Sequence, residues 1–186
     1  MSGRAVAVVG PSGAGKDTLI AGAVARSPSL HWARRVITRP AREGDEPFEP
    51  ATREAFDARL GRGEFLLHWE AHGLAYGIPA TEFAPLAEGR DVIFNGSRAA
   101  LTQAARVVPG LIVVLVTASP AIRAARLAAR GREAGSDIAS RLGREVPDLP
   151  ADLPCVQIDN GATPAEGVAR LLAALAQAVP VAERST

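Results

Sequence analysis

The sequence has little sulfur, little histidine and no long apolar run. One of its 186 residues is cysteine and three are histidine, which excludes an internal disulfide and a four-thiolate metal site and argues against a structural zinc centre. The longest apolar run, Leu111–Ala118, is far shorter than the ~20 residues that cross a bilayer. The run at residues 5–9 is too short for a secretory signal. We therefore expect a cytoplasmic protein without membrane contact.

An excess of one charge is also absent. The 21 basic residues nearly balance the 20 acidic ones, and the net charge is +1, which argues against nucleic acid as a partner and leaves small anionic ligands open. Every basic residue except Lys16 is an arginine. The 47% hydrophobic content is enough for one sizeable core, so the length predicts a single domain. The oligomeric state is not predicted.

Short apolar runs alternate with helix-like segments along most of the chain. Such alternation predicts an α/β fold in three layers, with helices on both sides of a central parallel sheet. A helix is expected at about Asp17–Arg26, a second begins after Ser119-Pro120, and Thr163 to Glu166 form a capping box that begins a third. The predicted strands are Ala5–Val9, Arg35–Thr38, Asp91–Asn95, Leu111–Thr117 and Cys155–Asp159.

Two stretches interrupt this alternation. Residues 40–86 contain several prolines, a possible helix at Arg53–Leu60 and two extended pieces at Glu64–Glu70 and Leu74–Ile78, and we interpret them as an insertion that binds a substrate. Residues 131–145 are interpreted as a lid. The core of the single domain is then formed by residues 1–39, 87–130 and 146–186.

The strongest motif is a glycine-rich turn between the first strand and the first helix, and it predicts ATP binding. Its glycines let backbone N–H groups point at phosphate oxygens, the following helix places its positive end there, and Lys16 bridges the outer phosphates. The predicted nucleotide-binding residues are Gly10, Pro11, Ser12, Gly13, Ala14, Gly15, Lys16, Asp17 and Thr18.

Asp17 stands where this motif usually has a serine or threonine that ligates magnesium. One interpretation makes Asp17 a ligand of Mg²⁺, directly or through water, because carboxylate is a hard ligand that suits this ion. The other is that an acidic residue merely suits the first turn of a helix, through the helix dipole. We favour the magnesium ligand, because the strand that ends at Asn95 offers no acidic residue there.

Several further segments resemble guanylate kinase. They are Ile37-Thr38-Arg39-Pro40-Ala41-Arg42-Glu43-Gly44, Gly63-Glu64-Phe65-Leu66, His72 to Gly77 and Arg126 to Arg141. The resemblance implies that Arg39, Arg42 and Tyr76 hold the acceptor phosphate, and that Arg130 and Arg141 close over the transferring phosphoryl group as catalytic residues with Lys16. Leu67 occupies the place of the carboxylate that reads guanine in that family, so GMP is not the expected substrate.

The motifs together look like the ribose 1,5-bisphosphate phosphokinase family. Asp17 after the P-loop lysine and the run Asn95-Gly96-Ser97-Arg98-Ala99 are its more distinctive marks. The resemblance implies that ATP and ribose 1,5-bisphosphate give ADP and 5-phosphoribosyl 1-diphosphate, in phosphonate utilisation. Since each phosphate monoester carries about −1.5 to −2, the sugar needs cationic contacts, and Arg98 and His68 are candidates for its second phosphate.

Two other functions are compatible with the same motifs. One is a nucleoside monophosphate kinase of altered specificity, and the other is a catalytically silent guanylate-kinase-like module that binds protein partners. Among side chains outside the site, we expect Trp32, Phe65 and Trp69 to pack in the core or lid. We also expect Cys155, at the start of a strand, to be buried.

Overall fold

The computed structural model describes residues 3–41, 46–129, 149–150 and 153–177. In these ranges the chain forms a five-stranded sheet whose strands are all parallel, in the order β2-β7-β1-β8-β9. The strands are β1 Ala5–Val9, β2 His31–Trp32, β7 Val92–Asn95, β8 Ile112–Thr117 and β9 Cys155–Asp159. The α/β architecture with a parallel central sheet is therefore confirmed.

One face of this sheet is covered by two of the helices, whose apolar side chains recur at helical spacing. The helices are α1 Lys16–Arg26, α2 Arg53–Gly61, α3 Leu101–Val107, α4 Pro120–Ala129 and α5 Pro164–Gln177. Helices α1 and α5 pack together on this face and bury Leu19, Ile20, Val168 and Leu171 against β1 and β8. The central strand β1 is buried along its whole length, as expected for a strand covered on both sides.

A second sheet covers part of the opposite face. Its order is β4-β3-β6-β5, from β3 Arg35–Ile37, β4 Phe48–Pro50, β5 Phe65–Ala71 and β6 Leu74–Pro79. Leu67, Trp69 and Ile78 of this sheet share a core with Phe94 of β7 and Leu101 of α3. As the sequence analysis anticipated, Phe65 and Trp69 are buried. This packing fixes the second sheet beside the carboxyl ends of the parallel strands.

The run Arg35–Thr38 was expected in the central sheet and instead belongs to the second one. Its residues pair with β4 on one side and β6 on the other. The chain leaves the central sheet at Ala33, whose N–H bonds to the carbonyl of Ile93, and the two-residue strand β2 takes the position beside β7. An apolar run alone does not specify which sheet it joins.

The expectation that Cys155 is buried is wrong, because this residue is exposed. It begins β9, which lies at the edge of the central sheet, and alternate residues of an edge strand face solvent. The predicted capping box is confirmed: the Glu166 N–H donates to Thr163 Oγ1 at 3.3 Å and the Thr163 N–H donates to Glu166 Oε2 at 3.0 Å. Across the described ranges, no helix has the length and apolar character that spanning a membrane requires.

Candidate functional site

The glycine-rich turn follows β1 at the carboxyl edge of the central sheet. Gly10 lies so close to β8 that a Cβ there would be 2.1 Å from the carbonyl oxygen of Val116. Gly13 and Gly15 have positive φ angles of 78° and 88°, a region that residues with a Cβ rarely enter. The turn therefore takes its shape because three of its positions are glycine.

Helix α1 begins at Lys16 without a side-chain cap, since Gly15 precedes it. By contrast, α2 is capped by the Thr52 hydroxyl, which accepts a hydrogen bond from the Ala55 N–H at 3.1 Å. The first N–H groups of an uncapped helix are available to an anion, and the helix dipole favours negative charge at the same place. The start of α1 is therefore suited to phosphate.

Lys16 folds back over the turn. Its Nζ donates to the carbonyl oxygens of Gly10 at 2.9 Å and Pro11 at 3.2 Å. The ammonium is thus held above the loop by two neutral acceptors. Phosphate oxygens bind an ammonium more strongly than carbonyls do, because those hydrogen bonds are charge-assisted.

Asp17 meets the end of β7 through a side-chain contact. Asn95 Nδ2 donates a hydrogen bond to Asp17 Oδ1, which places the carboxylate between the start of α1 and the carboxyl end of a parallel strand. No group of three or more His, Cys, Asp or Glu side chains suited to a metal occurs in the described part of the chain. Mg²⁺ is usually held by one or two carboxylates together with substrate phosphates and water, so the chemistry of the Asp17 carboxylate fits this ion.

A buried ion pair, which the sequence analysis missed, joins Arg35 and Glu46. Arg35 Nη2 donates to Glu46 Oε1, and the two side chains are 10% and 9% exposed. Burial raises the pKa of Glu46 above its ordinary value; Arg35 opposes this effect and the Asp17 carboxylate adds to it. The Arg35–Glu46 pair therefore lies within electrostatic reach of Asp17 at the start of α1.

Tyr76 belongs to the same group of side chains. It pairs across the second sheet with Trp69 and stacks on it, with ring centroids 5.4 Å apart. The Arg35 guanidinium carbon lies 5.4 Å from the Tyr76 ring centroid. The tyrosine therefore lies on the face of the second sheet that carries the Arg35–Glu46 pair.

His68 is not brought to this group. It pairs with Gly77 in the register of β5 and β6, one position from the Trp69 and Tyr76 pair, and neighbouring residues of a strand point to opposite faces. His68 thus lies on the opposite face of the sheet from Tyr76. The separation depends on the register of β5 and β6 as well as on alternation along each strand.

Arg39 lies just after β3, with its guanidinium carbon 4.3 Å from the centroid of the Phe48 ring. Its Nη1 donates to the carbonyl oxygen of Pro40 at 3.2 Å. Arg98 is in the short 3-10 turn Arg98–Ala100 that follows β7, and its Nε is shielded from solvent. Leu67 is 1% exposed, so the position that reads guanine in guanylate kinase is part of the core here. Arg42, Arg130 and Arg141 lie outside the described residues.

A cavity of about 210 Å³ adjoins the P-loop next to α4 and the end of β9. Arg126 of α4 and Asn160, the residue after β9, connect it to the loop, since Asn160 Nδ2 donates to the Ala14 carbonyl at 2.7 Å and Arg126 Nη1 donates to the same oxygen at 3.3 Å. The cavity is lined by Gly15, Thr18, Arg126, Ala129, Asn160 and Pro164. Asn160 was missed, although a polar residue directly after a parallel strand is a recognisable signal.

Solved structures resemble this arrangement. A guanylate kinase from Anaplasma phagocytophilum superimposes with a TM-score of 0.69 over 100% of this chain and 88% of that chain, at 16% identity. A gluconokinase from Sinorhizobium meliloti gives a TM-score of 0.55 over 94% of this chain and 92% of that chain, at 19% identity. No protein-family model matches the chain. The fold and the glycine-rich turn define a P-loop protein with the guanylate kinase fold.

Relatives in sequence identify the family to which the chain belongs within this class. Proteins named ribose 1,5-bisphosphate phosphokinase PhnN are 47% identical in Pseudofrankia inefficax, over 91% of this chain and 89% of that protein, and 43% identical in Ruegeria sp., over 98% and 94%. The chain belongs to the ribose 1,5-bisphosphate phosphokinase family. A bifunctional ribose 1,5-bisphosphokinase-thymidine phosphorylase from Azorhizobium caulinodans is 50% identical over 94% of this chain. The chain spans 26–29% of the length of such bifunctional relatives.

Proposed function

We propose that this chain transfers the terminal phosphoryl group of ATP to the 1-phosphate of ribose 1,5-bisphosphate, releasing ADP and 5-phosphoribosyl 1-diphosphate. The observation that carries the proposal is 43–47% identity, over nearly the full length of both chains, to proteins named for this activity. The buried Leu67 supports it, because a nucleobase reader is lacking at that position. We place the reaction in the cytoplasm and in phosphonate utilisation.

The nucleotide half of the proposal starts from the P-loop. The triphosphate takes the uncapped start of α1 and the N–H groups of the turn, and Lys16 exchanges the Gly10 and Pro11 carbonyls for phosphate oxygens. The base enters the cavity beside Gly15, where Arg126 offers a planar guanidinium for stacking and Asn160 a polar edge. This assignment directs the terminal phosphate toward the Asp17 end of the turn.

The acceptor half uses the second sheet. Arg39 and Tyr76 contact the acceptor phosphate, together with Arg42, while Arg98 contacts the second phosphate of the sugar. Arginine suits this role because its planar fork binds two phosphate oxygens at once. Arg35 keeps Tyr76 in place from the same face. His68 is left out of this part of the proposal, since it lies on the opposite face of the sheet from Tyr76.

Transfer itself needs positioning and charge neutralisation rather than a covalent enzyme intermediate. We propose that Lys16, Arg130 and Arg141 neutralise the charge that develops on the transferring group. Asp17, oriented by Asn95, holds Mg²⁺ directly or through water. When bound, the ion supplies further positive charge to the phosphate oxygens.

A substrate panel tests the proposal. ADP release is measured with ribose 1,5-bisphosphate, GMP, AMP or no acceptor, and 5-phosphoribosyl 1-diphosphate is identified directly by mass. We expect turnover that depends on ribose 1,5-bisphosphate and forms this product. Turnover with GMP alone would indicate a nucleoside monophosphate kinase, and no turnover with any acceptor would indicate a binding module; either result refutes the proposal.

A further inference from the structure

The ion pair of Arg35 and Glu46 leaves the carboxylate of Glu46 without a role in the transfer described so far. Its two side chains are 10% and 9% exposed, and a buried ion pair gains little over apolar side chains of the same size, because both charges lose their hydration. Stability alone therefore does not explain why a carboxylate lies at this place. Arg35 is held from a second side by the Tyr76 ring, so the carboxylate has a firmly positioned partner.

The two oxygens of the Glu46 carboxylate differ in their surroundings. Oε1 accepts the hydrogen bond from Arg35. Among the residues that the structure describes, no donor reaches Oε2, and this oxygen is not sealed from solvent. Asp17 and Lys16 both act electrostatically on the same carboxyl group. Glu46 thus offers an unused acceptor oxygen on the face of the second sheet that carries Arg35 and Tyr76.

The chemistry of that oxygen selects what it can contact. An ionised carboxylate accepts hydrogen bonds and donates none, and it repels phosphate. In ribose 1,5-bisphosphate the two phosphates are anionic, and the hydroxyls on C2 and C3 are the neutral donors. A carboxylate that accepts from a ribose hydroxyl is a common means of recognising this sugar in nucleotide-binding folds.

We propose that Glu46 is a specificity-determining residue, which accepts a hydrogen bond from a ribose hydroxyl of the acceptor while Arg35 positions the carboxylate. The inference rests on the proposed function and deepens it. It assigns the phosphates to the arginines and the middle of the sugar to Glu46. It also explains how a doubly anionic substrate tolerates a buried carboxylate nearby, because that carboxylate faces the uncharged part of the molecule.

The test compares sugars with and without each hydroxyl. The ratio kcat/KM is measured for ribose 1,5-bisphosphate and for its 2-deoxy and 3-deoxy analogues, with the intact chain and with Glu46→Gln. We expect the unaltered protein to prefer ribose over at least one analogue by about tenfold or more, as for a hydrogen bond to a charged group. In Glu46→Gln the activity on ribose falls by a similar factor, while activity on that analogue changes less than about threefold.

Glu49→Gln is the matched control, since Glu49 lies on the same segment but is exposed and paired with Arg59. Any preference for ribose 1,5-bisphosphate over a deoxy analogue that the unaltered protein shows should persist in this variant. Equal losses on all sugars, or a raised magnesium requirement with all of them, would overturn the inference. If Glu46→Gln does not fold, the unaltered protein still decides, because indifference to both hydroxyls is incompatible with the proposal. Failure to use ribose 1,5-bisphosphate at all would instead refute the proposed function.

Discussion

A methyl group added at Gly167 of α5 would disturb both the packing of the core and the candidate nucleotide site. A Cβ at Gly167 would lie 2.3 Å from Asn160 Oδ1 and 2.6 Å from Leu19 Cδ2. Neither neighbour can easily give way, because Leu19 is fully buried and Asn160 is held by its 2.7 Å hydrogen bond to Ala14. In Gly167→Ala, Asn160 must therefore shift, and this shift disturbs its hydrogen bond to Ala14 of the P-loop.

The expected change in the free energy of unfolding is the sum of one stabilising and two destabilising effects. Alanine in place of glycine inside a helix gains about 1 kcal/mol. Overpacking costs about 1–3 kcal/mol, and both distances at Gly167 are far below van der Waals contact, which favours the upper end of that range. Loss of the hydrogen bond between Asn160 and Ala14 costs about 1 kcal/mol more. The sum is a destabilisation of about 2–3 kcal/mol, which lowers Tm by about 4–12 °C for a domain of this size.

Thermal unfolding and the KM for ATP measure the two consequences together. We expect a lower Tm and a higher KM for ATP in Gly167→Ala, and partial recovery of Tm in the double variant that also carries Asn160→Ala. Gly61→Ala is the matched control, since nothing lies within 4 Å of its Cβ position, and it should leave Tm unchanged or slightly raised. A Gly167→Ala protein with the original Tm and KM would refute the packing argument.

Three further predictions address the site and the fold. Lys16→Ala should lower kcat by at least ~10²-fold, the usual cost of one lost transition-state contact; near-normal turnover would remove Lys16 from the mechanism. Asp17→Asn should raise the magnesium concentration needed for half-maximal activity by about tenfold or more, and an unchanged titration would leave Asp17 only its helix-dipole role. Partial burial alone would raise the pKa of Asp91, but hydrogen bonds from Arg4 outweigh it and hold this pKa below its usual value. The ionised Asp91 carboxylate therefore stabilises the fold at neutral pH, and this stabilisation is lost as pH falls through the lowered pKa. We expect the unfolding free energies of the unaltered protein and of Asp91→Asn, measured by denaturant titration, to converge below about pH 4. A difference that stays constant with pH would contradict this.

The structure of the candidate nucleotide site was largely predictable because it is local in sequence. The glycines, Lys16 and Asp17 are consecutive or nearly so, and their function depends on a turn between a strand and a helix that they largely specify themselves. Capping at Thr163 and the apolar face of α5 are local in the same way. The resemblance to the phosphokinase family was carried by such short runs, and the relatives confirm it.

The partners of these residues were not predictable, because they come from distant parts of the chain. Asn160 reaches Ala14 across 146 positions, and Asn95 reaches Asp17 across 78. Arg35 and Glu46 are close in sequence, yet their pairing depends on β3 joining the second sheet rather than the central one. The apolar character of Arg35–Thr38 suits either sheet, so only tertiary packing decides between them.

The sequence by itself determined the class of fold and the family, and it predicts the phosphate-binding turn, because each is specified by residues that act over one turn of helix or one strand. The tertiary structure alone decided which side chains surround that turn. It removed His68 from the Tyr76 side of the second sheet, exposed Cys155 at a sheet edge and paired Glu46 with Arg35. Strand order and sheet faces set these contacts, and both depend on burial across the whole domain rather than on any local pattern.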